Sequence, residues 1–92
     1  MKIVRWDHEK NAKLKQERGV SFEMVTLAMA QGNVLDDLIH PNSEKYANQR
    51  ILVVKIREYA WLVPYVETEL ELFLKTIIPS RKATKKYLGG DI

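Results

Sequence analysis

None of the 92 residues is cysteine, which excludes disulfides, thiolate chemistry and Cys-type zinc sites. No uninterrupted apolar run approaches transmembrane length, and the charged N-terminus carries no signal-peptide apolar region, so a cytoplasmic protein with no membrane partner is expected. The chain also lacks a phosphate-binding glycine loop, a nucleophile elbow, a zinc-protease motif, an internal repeat and a domain linker. Its two histidines, His8 and His40, are far apart and neither has a partner at metal-ligand spacing. His40 stands beside a turn that can line a cleft, although a solvated loop histidine is the commoner case. Asp36 and Asp37 are adjacent, so in a strand they point to opposite faces and make a poor metal site. No metal or cofactor is expected.

What is present reads as one globular domain over residues 1–92. The composition is 46% hydrophobic and 29% charged, enough apolar material for a modest core. The net charge of +3 conceals a segregation. Residues 1–18 and residues 78–92 each carry +3, and residues 19–77 carry −3. If the two ends meet, they form a basic face on an acidic body, which suits nucleic acid or an acidic protein partner.

Periodicity and capping residues place the elements. Residues 3–6 form a short β-type run, and Asp7 then caps a largely polar helix that ends before Gly19. Ser21 opens a second helix to about Gln31, with Val20 and Val25 at the spacing of a hydrophobic staple. Its apolar row is Phe22, Val25 and Met29, widened by Met24, Leu27 and Ala28. Residues 34–39 read as a weak strand closed by the turn cluster at 40–43. Residues 49–57 alternate, with Leu52, Val54 and Ile56 facing in and Lys55 and Arg57 facing out. In the next strand, Pro64 argues for an edge position or a bulge. The clearest alternation runs from Leu70 to Ile78 as one strand. Ser80 then caps a last helix, and a frayed tail is expected over 89–92. The order β-α-α-β-β-β-β-α favours an α+β domain with an antiparallel meander covered by helices.

The last helix carries an electrostatic anomaly. Arg81 and Lys82 occupy its first turn, where the helix dipole favours Asp or Glu, and exposed cations there cost a few tenths to about 1 kcal/mol each. A polyanion would offset that cost. A phosphate approaching Ser80 meets backbone N–H groups and two cations together. Lys10, Lys13, Arg18, Lys55, Arg57, Lys75, Lys85 and Tyr87 extend the basic set. Cleavage of RNA needs a base for the 2′-OH, an acid for the leaving oxygen and cations for the phosphorane. Arg and Lys can supply the cations, and Glu, Tyr or Lys can move protons.

These residues carry a resemblance. Trp6-Asp7, Lys10 and Arg18-Gly19-Val20-Ser21-Phe22-Glu23, followed by Ile77-Ile78-Pro79-Ser80-Arg81-Lys82-Ala83-Thr84 with Tyr87, are similar to the motifs of the BrnT family of ribonuclease toxins. The chain departs from that pattern at His8, Leu14, Glu17-Arg18 and Pro79-Ser80. The resemblance implies a RelE-like fold: a small antiparallel sheet of about four to five strands, two N-terminal helices on one face and a short C-terminal helix. It also implies metal-independent cleavage of RNA, growth inhibition, and neutralisation by a cognate antitoxin with a ribbon-helix-helix DNA-binding part. Carried over by position, Arg81, Glu23, Tyr87 and Lys10 become catalytic candidates. Arg18 would bind backbone phosphates, joined as substrate-binding candidates by Lys13, Lys82, Lys85, Lys55 and Arg57. Whether the chain forms a homodimer stays open. The alternative is a non-catalytic module whose basic face holds an acidic protein or nucleic acid. The arrangement expected of the leading reading is an exposed Arg81 near the first helix with no carboxylate partner.

Overall fold

The computed structural model describes residues 2–42, 44–45 and 48–89, and each of its helices starts where a side-chain oxygen can accept from a free backbone N–H. Asp7 accepts from Glu9 and Lys10 at the start of α1 (His8–Arg18). Ser21 accepts from Met24 at the start of α2 (Phe22–Ala30), and Ser80 from Ala83 at the start of α3 (Arg81–Leu88). Gly19 and Gly89 end α1 and α3 in the left-handed conformation, φ 67° and 60°, each returning its N–H to a carbonyl one turn back. Val20 and Val25, the expected staple, are both fully buried. Ser43 of the expected turn cluster and residues 90–92 of the expected tail lie outside the described residues.

Six strands follow the order β1 (Ile3–Trp6), β2 (Val34–Ile39), β3 (Gln49–Ile56), β4 (Tyr59–Glu67), β5 (Glu71–Leu74) and β6 (Ile78–Pro79). The sheet order is β1-β5-β4-β3-β2, with β6 paired to β4 beyond β5. The expected meander is present from β2 to β5, all antiparallel. The sheet as a whole is mixed, however, because β1 runs parallel to β5. Alternation says which residues face the core and nothing about direction. Val4 and Trp6 reach the core along the open side of β5, where Trp6 stacks on Phe22 with ring centroids 5.6 Å apart.

The expected strand from Leu70 to Ile78 is two strands. Tyr65 pairs with Leu74, but Leu62 pairs with Ile78, one residue later than an unbroken ladder would give. The extra residue, taken up over 75–77, moves the inward face from Leu74 to Ile77, and both are fully buried. Leu70 and Ile78, which one unbroken alternation would set on the same face as Leu74, are exposed. Pro64 explains where the slip occurs. It lies in central β4, not at an edge, and its carbonyl accepts from the Lys75 N–H at 2.8 Å. In a strand the nitrogen of a residue points to the same side as its carbonyl, so the missing N–H of Pro64 faces the interrupted stretch of ladder.

Alternate residues of the sheet bury against different helices. Leu52, Val54, Ile56, Val63 and Leu74 pack with Leu14 of α1 and Phe22, Val25 and Ala28 of α2. Val53, Ala60 and Leu62 pack with Ala83 and Tyr87 of α3. β3 is therefore apolar on both faces in its middle, with Val53 as fully buried as Val54. Leu27, expected in the apolar row of α2, is 57% exposed because the sheet is already covered by Phe22, Val25 and Ala28. No helix among the described residues is long and apolar enough to cross a membrane.

Candidate nucleic-acid interface

One end of the sheet gathers arginines from three distant parts of the chain. β3 and β4 are joined by a two-residue turn, Arg57–Glu58, with Ile56 paired to Tyr59. Both turn residues are left-handed, φ 55° and 62°. This is the turn that suits the right-handed twist of a hairpin, and Asn-Gly is its usual sequence. For ordinary L-residues the conformation costs roughly 1–2 kcal/mol each. Neither Arg nor Glu makes it locally favourable. The turn sends the Arg57 guanidinium to Gly19, with Nη1 3.6 Å from the position a Cβ would take there.

Arg18, the residue before Gly19, donates from Nη1 to the carbonyl of Ile77 at 2.6 Å, tying the end of α1 to the segment that leads into α3. The start of α3 is pinned to the same end of β4. The Ser80 N–H donates to the Ala60 carbonyl at 3.0 Å. Buried Thr84 accepts from the Ala60 N–H at 2.8 Å and donates to the Ser80 carbonyl at 2.7 Å. Arg81 follows directly. It is exposed and forms no ion pair among the described residues. The nearby acid Glu58 is paired with Lys55 at 3.3 Å.

Two aromatics lie between Arg57 and this point. Tyr59 and Trp61 meet edge to face with centroids 6.1 Å apart, and Trp61 donates its indole N–H to the Ile56 carbonyl at 3.2 Å. Both are half-buried. They were not among the sequence candidates, although two aromatics at i and i+2 directly after Arg57 were a readable signal. Arginines to hold phosphates beside aromatics to hold bases is the composition of a single-stranded nucleic-acid surface.

The remaining candidates lie elsewhere. Glu23 accepts from the Asn11 side-chain N–H at 2.7 Å and lies 3.9 Å from the Lys15 ammonium. The Asn11 hydrogen bond, more than Lys15, holds its carboxyl below the usual range. Asn11, which sequence reasoning missed, is only 4% exposed and also accepts from the Phe22 N–H at 2.8 Å. One amide thus locks the corner between α1 and α2. Lys10 and Lys13 lie on α1, about 12 and 8 Å along the helix from Arg18. Tyr87 belongs with β2: its hydroxyl donates to Asp36 at 2.5 Å, which raises its pKa and lowers that of Asp36. Lys82 lines a groove beside Tyr87, Lys85 is exposed on α3, and Lys55 is committed to Glu58.

Asp36 and Asp37 do point to opposite faces. Asp37 accepts from Tyr65 at 2.8 Å and from Arg50 at 3.1 Å. Among the described residues no group of His, Asp and Glu is placed to hold a metal ion. The His40 ring accepts from the Asn42 N–H at 3.1 Å, within its own turn. Comparisons with known protein families, with curated proteins and with solved structures find no match to this chain.

Proposed function

We infer that the chain is the toxin of a bacterial type II toxin–antitoxin pair: a cytoplasmic, BrnT-type endoribonuclease with a RelE-like fold, held inactive by a cognate ribbon-helix-helix antitoxin. The observation that carries this reading is a set of contacts at one end of the sheet, beside Tyr59 and Trp61: Arg57 lies against Gly19, Arg18 bonds to Ile77, and Ser80, the residue before Arg81, bonds to Ala60. In the reaction the 2′-OH loses its proton, its oxygen attacks phosphorus, and the 5′-oxygen leaves with a proton. Arg81, free of a carboxylate, stabilises the charge that builds on the phosphorane oxygens. Arg57 holds a flanking phosphate, while Arg18 fixes the strand from which Arg81 departs. Tyr59 and Trp61 stack on unpaired bases.

A second reading has its own support. Two candidate proton carriers are occupied, Glu23 by Asn11 and Tyr87 by Asp36, which leaves Lys10 as the candidate proton carrier without a side-chain bond among the described residues. A surface that binds RNA and does not cut it fits that arrangement. Induction of the chain without an antitoxin separates the two. The nuclease reading expects growth arrest with fragmented RNA, abolished by Arg81→Ala in a variant of unchanged thermal stability. Intact RNA on induction, with the purified chain still retarding a labelled single-stranded RNA, refutes cleavage and leaves binding.

A further inference from the structure

A second surface lies across the sheet from α1 and α2. α3 and β2 border a groove of about 200 Å³ whose floor is Leu38, Val53, Leu62 and Ala83. Its volume falls below the roughly 300 Å³ at which pockets for small molecules begin, and it suits a protruding side chain better than a cofactor. Leu38 is 38% exposed and so the most open part of that floor. The rim is basic. Lys82 and Lys86 stand on the α3 side, and α3 carries Arg81 and Lys85 as well, with no acidic residue.

The neighbouring carboxylate does not cancel that charge. Asp36 accepts the Tyr87 hydroxyl and interacts with Lys86, leaving Lys82 without an ion pair among the described residues. We propose that this groove is a docking site for an acidic peptide segment that inserts one apolar side chain between β2 and α3. The proposal is independent of the ribonuclease reading.

The mode of docking follows from the edge of β2. Among the described residues β2 pairs with β3 alone, so its other side is an edge that could accept a further strand. At the centre of that edge, however, the Asp37 N–H is taken by the Asp36 carboxylate at 2.8 Å and the Asp37 carbonyl by Arg50 at 3.1 Å. Strand addition would have to break both bonds, whereas the groove on the face is open. A second copy of this chain is disfavoured as the occupant because it would bring its own lysines against Lys82 and Lys86. RNA matches the lysines but not an apolar floor.

The test is an amide-resolved NMR titration of the full chain with a short peptide of Glu and Asp flanking a single Leu. Shifts are expected at Leu38, Val53, Leu62 and Ala83, and not at Arg18, Gly19 or Arg57. Replacing the peptide's Leu by Ser weakens binding roughly tenfold or more, as loss of a buried Leu requires. Lys82→Glu with Lys86→Glu weakens it roughly tenfold, with Lys82→Gln and Lys86→Gln as the milder pair if charge reversal disturbs folding. A peptide with Lys in place of the acids does not bind. Equal binding of the Leu and Ser peptides overturns the proposal, as does displacement of the peptide by single-stranded RNA or burial of the groove by self-association in the absence of peptide.

Discussion

The left-handed turn at Arg57–Glu58 yields a prediction in which stability and function move in opposite directions. Glu58→Gly removes the steric cost of φ 62°, roughly 1–2 kcal/mol. Against this stand the extra freedom of glycine in the unfolded chain, about 0.5–1 kcal/mol, and the loss of the Lys55–Glu58 pair, whose glutamate is 87% exposed and which contributes a few tenths of a kcal/mol at most. The net expectation is stabilisation of about 0.5 kcal/mol, a rise of about 2–4 °C in melting temperature for a domain of this size. RNA binding should hold, since Arg57 is retained. Arg57→Asn combined with Glu58→Gly installs the sequence the turn prefers and should be more stable still. It should also lose affinity for single-stranded RNA, with a smaller salt dependence of binding because one phosphate contact is gone. Thermal unfolding by circular dichroism and RNA anisotropy over a salt series measure both. A Glu58→Gly variant less stable than the parent refutes the claim of strain, and a double variant with unchanged RNA affinity refutes the role given to Arg57.

Two further outcomes follow from buried polar groups. Asn11→Ala leaves the Phe22 N–H without its acceptor and frees Glu23, and should cost about 1–3 kcal/mol in urea unfolding; Asn11→Asp keeps an acceptor for Phe22 but sets a second carboxylate beside Glu23, so a milder loss at neutral pH that shrinks on acidification separates the two bonds. Burial, and then Asp37, push the Tyr65 hydroxyl up to about 12. The folded state then keeps a proton that the unfolded chain releases near pH 10, so this contribution is complete below pH 10 and is lost as pH rises toward 12. Tyr65→Phe removes the hydrogen bond to the Asp37 carboxylate and should be less stable than the parent at pH 8 by about 1–2 kcal/mol, screening at the exposed carboxylate included, and the gap should narrow by pH 11.5; a gap of constant size shows that the proton is not retained.

The features legible in the sequence are those decided within a few residues. Asp7, Ser21 and Ser80 start helices and Gly19 and Gly89 end two of them, because capping is settled inside one turn of chain. The order of elements is legible for the same reason, except that the last expected strand is two, β5 and β6. What the sequence hides is decided across the sheet. The alternation from Leu70 to Ile78 is locally perfect and still breaks, because the partner strand contains Pro64 and cannot donate at that point. Val53 looks like a residue for the outer face of β3 and is fully buried, because α3 returns from the far end of the chain to cover it. The candidate site divides in the same way. Arg18, Arg57 and Arg81 can each be named from charge and position, but the bonds that fix the segments around them, from Arg18 to Ile77 and from Ser80 to Ala60, are announced by no local pattern. Asn11 reads as one more polar residue on a polar helix.

Two locally unfavourable features bear on the same end of the sheet. One is the pair of left-handed, non-glycine residues at Arg57–Glu58. The other is a helix whose first turn holds Arg81 and Lys82 and no acid. Folding alone favours Asn-Gly in the first place and Asp or Glu in the second. Neither cost is offset by an ion pair of the arginines themselves: Arg57 and Arg81 form none among the described residues. Local preference is set aside at two points that are joined through Ala60, Ser80 and Thr84, a pattern expected of a functional site more than of a stabilising one. Both points carry positive charge, so under the proposed function an RNA strand that spans them, with consecutive phosphates at Arg57 and Arg81, would supply the contribution that folding alone does not.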